Sequence, residues 1–188
     1  MPRAGLTPAS VITEAASLAD EVGYDRLTLA ALAARLGVAV PSLYKHVDGL
    51  DAVRRGVAVL AVRELGAALD AGLAGAEGGD PGARLRALAH AYRAFARAHP
   101  GRYAATVRAA APDDREHAAA SDAVLRTVIA VLAERGLRGD DAIDATRALR
   151  AALHGFVSLE AAGGFGLPRD VPRSFDRMAD WLDRGLRG

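Results

Sequence analysis

The segment Val40-Pro41-Ser42-Leu43-Tyr44-Lys45-His46-Val47 gathers a hydroxyl, a phenol, an ammonium and an imidazole within a few residues. On a helix Leu43 and Val47, at i and i+4, share one face, which leaves Ser42, Tyr44, Lys45 and His46 on the others. A short helix with these groups outward suits hydrogen bonding to a phosphate backbone and to the edges of bases. Charge placement agrees. From Arg26 to Val47 the chain carries Arg26, Arg35 and Lys45 and no acid, whereas Glu14, Asp20, Glu21 and Asp25 precede and Asp48 and Asp51 follow. Other chemistry finds little footing. The five histidines, His46, His90, His99, His117 and His154, form no H-E-x-x-H or other close-spaced metal pair; G-x-S-x-G is absent, and no glycine-rich loop follows a strand. Glu116-His117, at a polar helix start, reads as a solvated pair. No catalytic residue, metal site or cofactor is expected, and an enzyme is the disfavoured class.

The polar segment needs a scaffold, and the sequence supplies one. Thr28 is a good N-cap, and Leu27 before it can staple onto Leu32 inside the helix. Gly37 can take the positive φ of a tight inter-helix turn, with Val38 as an apolar plug. Pro41 fits the first turn of the next helix, expected to run through Val47. Residues 28–47 thus have the shape of a helix-turn-helix. Around it, apolar residues recur at helical spacing: Val11, Ala15, Leu18, Val22; Leu85, Leu88, Ala89, Tyr92, Phe95; Val124, Val128, Val131, Leu132; Leu149, Leu153, Phe156, Val157; and Phe175, Met178, Ala179, Leu182, Leu186. No comparable segment alternates with period two. Turn residues between the stripes divide the chain into about nine helices, an all-α fold, with a long fourth helix from about Gly49 to Leu73. Gly78 to Gly82 reads as a flexible connection. A domain boundary is expected near residue 48, giving a helix-turn-helix domain over 1–48 and a second helical domain over 49–188, with the long fourth helix belonging partly to both.

Composition bounds the rest. The 188 residues include 23 Arg, one Lys and 44 Ala, with no Cys, so disulfides and thiolate metal sites are excluded. The longest uncharged stretch, Ala4 to Thr13, is too short to span a bilayer, and no signal sequence opens the chain, so a cytoplasmic protein without membrane contact is expected. The net charge of +1 lends no support of its own to a nucleic-acid partner.

Residues 7–54, TPASVITEAASLADEVGYDRLTLAALAARLGVAVPSLYKHVDGLDAV, resemble the DNA-binding domain of the tetracycline-repressor-like (TetR) family of transcriptional regulators. The stretch GVAVPSLYKHV carries most of the likeness. The resemblance implies that Thr28, Ser42, Tyr44, Lys45 and His46 touch DNA, Tyr44 and His46 mainly through phosphates and Ser42 and Lys45 through phosphates or base edges. Val40 and Pro41 would make apolar contact with the groove, and Arg3 could reach an adjoining groove from the N-terminal arm. Two positions depart from the family pattern. Ala39 stands where Ser often caps the recognition helix, and Leu50 stands where Lys often opens the fourth helix, which removes one phosphate contact and lowers the log–log salt slope by about 0.9.

Residues 82–187 resemble the C-terminal domain of a branch of the same family that carries a Trp and then His-Gly. His154-Gly155 fits, while Arg150 occupies the place of the Trp. The resemblance implies a homodimer through a four-helix interface, with Leu149, Leu153, His154, Gly155, Val157, Phe175, Met178 and Leu182 as its expected residues. A glycine inside a helix costs about 1 kcal/mol relative to Ala, a cost explained if another helix approaches closely at Gly155. An effector pocket is expected between helices five to eight, and Tyr92, Phe95, His99, Tyr103, His117 and Phe156 are its candidate lining. The function implied is a ligand-responsive dimeric repressor of a palindromic double-stranded DNA operator, responding to a small-molecule effector. The alternative is a helical protein–protein adaptor.

Overall fold

A computed structural model describes residues 6–76 and 81–186. Among them are nine α-helices and no strand: α1 Pro8–Val22, α2 Leu29–Leu36, α3 Val40–Leu43, α4 Leu50–Ala74, α5 Pro81–Ala98, α6 Pro100–Ala105, α7 Arg115–Ala133, α8 Gly139–Ala161 and α9 Val171–Gly185. A single 3-10 turn, Tyr24–Arg26, follows α1. Arg3 and residues 78–80 of the glycine-rich connection lie outside the described residues; Pro81 and Gly82, expected in that connection, instead open α5.

Contacts divide the chain into two compact units whose limits differ from the domain boundary expected at residue 48. Unit one comprises residues 1–64 with 99–121; unit two comprises 65–98 with 122–188. Helices α4 and α7 therefore contribute to both.

In unit one α1 begins with a reciprocal cap, Thr7 Oγ1 accepting from the Ser10 amide at 3.1 Å and Ser10 Oγ from the Thr7 amide at 2.9 Å. Its apolar stripe, Val11, Ala15, Leu18 and Ala19, is buried together with Leu27, Leu32, Leu43, Val53 and Val57. Alanines on this stripe let a neighbour come close, and α6 does so. At Gly101 an added Cβ would collide with the Ala19 carbonyl, so only glycine permits the α1–α6 approach. The nearby polar groups pair across it. Asp20 accepts from the Arg102 amide at 2.8 Å and lies 3.3 Å from His99 Nδ1, and Arg102 Nη2 donates to Ser17 Oγ at 3.1 Å.

Unit two buries Leu69, Leu85, Leu88, Leu132, Leu149, Leu153 and Phe175. It also buries arginine side chains, each paired with a carboxylate. Arg93 donates to both Glu160 oxygens at 2.9 and 2.6 Å while its guanidinium sits 4.8 Å from the Phe175 ring centroid. Arg135 and Asp183, both buried, pair at 2.6 Å.

Candidate nucleic-acid interface

Helix α2 starts where Thr28 Oγ1 accepts the Ala31 amide at 3.1 Å. It ends at Gly37, whose φ of 67° is the left-handed geometry that glycine tolerates. The Val38 and Gly37 amides donate to the Ala33 and Ala34 carbonyls at 3.0 and 3.2 Å, closing a Schellman turn. Leu27 and Leu32 are both buried, as a hydrophobic staple requires. These local bonds fix the direction in which the chain leaves for α3.

Helix α3 is shorter than the sequence suggests. Regular helix covers Val40–Leu43, and Tyr44, Lys45 and His46 continue as turn. The His46 and Val47 amides still donate to the Leu43 carbonyl at 2.8 and 3.0 Å, so the chain keeps winding. Ala39 supplies no side-chain cap at the start, as its methyl dictates. The apolar anchor is firm, with Leu43 fully buried and Val47 9% exposed. Around that anchor the polar side chains stand outward: Tyr44 is 58% exposed, Lys45 and Pro41 are exposed, and Val40, Ser42 and His46 are half-buried. Thr28 is exposed too, although its hydroxyl already serves the α2 cap. All seven residues expected to meet DNA thus fall in unit one, and six of them flank buried Leu43 within residues 40–46, three exposed and three half-buried.

The local positive charge is smaller than the sequence implies. Arg35 donates to Glu14 at 2.9 Å and to both Glu21 oxygens at 2.8 Å, which ties it to α1 and raises its pKa through those bonds. Arg26 and Lys45 make no ion pair among the described residues and remain available to a phosphate.

Sequence reasoning missed the clamp that holds α4 within this unit. Arg55 donates to Asp114 at 2.7 and 2.6 Å and to Glu116 at 3.1 Å, and Glu116 also accepts from Arg63 at 3.1 Å. Asp114 additionally accepts the His117 amide at 3.0 Å. The Arg55 bond first, and that amide second, hold the Asp114 carboxyl at about 2, below the usual 3.8. Glu116-His117 is accordingly not a solvated pair: Glu116 is tied to two arginines and His117 is 5% exposed. No signal in the sequence could have found these bonds, because the partners lie some fifty to sixty positions apart.

The effector candidates divide between the units. His99, Tyr103 and His117 belong to unit one. There His99 is engaged with Asp20 and Arg102, and Tyr103 is buried. Tyr92, Phe95 and Phe156 belong to unit two. Phe95 is buried, Tyr92 half-buried, and Phe156 packs on Phe165 and Phe175 at centroid distances of 4.7 and 5.1 Å.

The dimer candidates also sort into two groups. Leu149, Leu153, Val157 and Phe175 are buried in their own unit, so their apolar stripe faces inward and offers a second chain nothing. His154, Gly155, Met178 and Leu182 are half-buried. Beyond its own turn of helix, a Cβ at Gly155 would meet no atom of the described residues within 4 Å. The same helices expose Ile143, Leu159 and Trp181.

A family model described as tetracyclin repressor-like, C-terminal domain, matches residues 85–182, and one described as bacterial regulatory proteins, tetR family, matches residues 11–47. The chain is 40% identical over 161 residues to an uncharacterised HTH-type transcriptional regulator of Mycobacterium tuberculosis, covering 85% of this chain and 72% of that protein. It is 37% identical over 174 residues to the uncharacterised HTH-type transcriptional regulator YobS of Bacillus subtilis, covering 92% and 88%. A solved structure of a protein of unknown function from Rhodococcus sp. RHA1 matches with a TM-score of 0.83 at 27% identity, covering 100% of this chain and 98% of that one.

Proposed function

Because the chain belongs to the TetR family of bacterial transcriptional regulators and is a DNA-binding regulator of that kind, we propose that it reads its operator through the α3 turn. Tyr44 and His46 grip phosphates, Ser42 and Lys45 reach phosphates or base edges, and Val40 and Pro41 press on the groove, with Thr28 holding the first turn of α2 against the backbone. The observation that carries this reading is the split within four residues between buried Leu43 and exposed Tyr44 and Lys45, which anchors the turn while leaving its polar groups to an outside partner.

One such turn contacts too few bases to select a site, so the protein acts as a homodimer on a palindrome whose half-sites lie about 34 Å apart or a multiple of that. The pairing surface is the outward side of α8 and α9, where Ile143, Leu159 and Trp181 are exposed and Gly155 leaves open space for a partner helix. Residues 1–48 serve DNA and 49–188 serve dimerisation and effector response, with repression as the mode and the cytoplasm as the place of action. Among the described residues no helix is long and apolar enough to cross a membrane.

A mobility-shift titration on DNA flanking the protein's own gene tests the reading. A shift confined to a palindromic segment, weakening steeply as salt rises, is expected. Absence of any salt-sensitive preference would overturn it.

A further inference from the structure

Unit one contains a cavity of about 510 Å³, within the roughly 300–1,000 Å³ of small-molecule sites. Its lining includes Tyr24 and Asp25 from the 3-10 turn, Asp51 and Arg54 from α4, Arg108, and His117 from α7. Arg55 and Asp114 also reach it, but their charges answer each other in the bidentate pair described above.

What remains is rich in nitrogen without partners. Arg54 Nη2 donates to the Asp25 carbonyl at 3.1 Å, yet Arg54 Nε is buried and has no hydrogen-bond partner among the described residues. His117 Nε2 is in the same state, in a side chain only 5% exposed. A buried polar atom left in that state destabilises the fold unless a partner reaches it. The Arg108 guanidinium lines the cavity and makes no ion pair among the described residues. The Tyr24 hydroxyl donates to the Arg54 carbonyl at 3.1 Å, which ties the 3-10 turn to α4 at the edge of the cavity. The other acids at this cavity, Asp25 and Asp51, are exposed.

We propose that this cavity is a binding site for a small organic oxyanion, held by the Arg54 and Arg108 guanidinium groups with His117 at its wall. Guanidinium groups present planar forks of N–H donors that match carboxylate and phosphate oxygens. Exposed Asp25 and Asp51 suit an amine or hydroxyl on the same ligand. Binding itself stands apart from the regulator reading. Its consequence, an effector site inside the unit that carries α3, rests on that reading.

The intact protein, labelled with ¹⁵N-histidine, is titrated with succinate or with inorganic phosphate at ionic strength held constant with chloride. The His117 resonance is assigned from its disappearance in His117→Gln. The expected result is a saturable shift of that resonance with one of the two anions, and the anion that saturates names the oxyanion class. In Arg108→Ala, an exposed substitution, the midpoint should rise at least tenfold. No saturable shift with either anion, a shift equal to that from chloride alone, or an unchanged midpoint in Arg108→Ala overturns the site. A mobility shift on operator DNA without added anion is run in parallel. DNA binding with an unmoved His117 rejects this site alone, whereas a saturating His117 without DNA binding rejects the regulator reading alone.

Discussion

In the turn that follows α3, Tyr44 stands 58% exposed and Lys45 has no ion partner among the described residues, while in unit two Arg93 is 7% exposed and donates to both oxygens of Glu160 beneath two phenylalanine rings. Both regions are polar, but their polar groups have opposite fates. A buried charge must find its partner inside the chain, since removing one member of such a pair strands the other. An exposed charge on a rigid anchor contributes little to folding and remains available to a partner outside. Exposure beside a buried anchor therefore marks function, and burial with a mate marks structure.

That contrast can be broken most severely at Arg93. Arg93→Ala should cost up to about 3–5 kcal/mol of stability in chemical denaturation, because Glu160, 17% exposed, is left charged without the guanidinium that neutralises it. A loss under 1 kcal/mol would mean that the cluster is not structural. Leu43→Ala comes next, at about 2–5 kcal/mol, since it opens a hole under α3. Its neighbours should behave differently. Tyr44→Ala and Lys45→Ala should change stability by no more than about 0.5 kcal/mol, yet weaken operator binding, and Lys45→Ala should lower the log–log salt slope by about 0.9. A large loss of stability in either would place them in the core.

The smallest effect is confined to acid. Asp114 titrates at about 2 when folded and at 3.8 otherwise, so its carboxylate favours the folded state fully above that higher value and loses the advantage as pH falls toward 2. The stability gap between the parent protein and Asp114→Asn should be constant above about pH 5 and close as pH falls toward 2. A gap that persists at pH 2 would show that the Arg55 bond is not its source.

Local patterns were legible in the sequence and distant pairings were not. The Thr28 cap, the Gly37 turn and the outward side of α3 all follow from residues within a few positions of one another. The all-α fold was equally readable from stripes at helical spacing. A stripe announces that a helix has an apolar face without saying whose atoms will cover it. Leu149, Leu153, Val157 and Phe175 read as a dimer surface, and their own unit covers them instead. Arg35 counts among the three cations of its segment, but the carboxylates that neutralise it stand 14 and 21 positions away. The place of α6 beside α1 depends on Gly101 and Ala19, two small residues whose only signal is what they lack.

Lys45 is the single lysine of the chain, and it is exposed. An amine-acylating reagent therefore finds one side chain to modify, besides the terminal amine, and that side chain lies on the proposed reading turn. Acylation would erase its positive charge, and bound DNA would shield it. Mass change at one residue, with and without operator, becomes a footprint whose whole signal comes from the place where sequence is read.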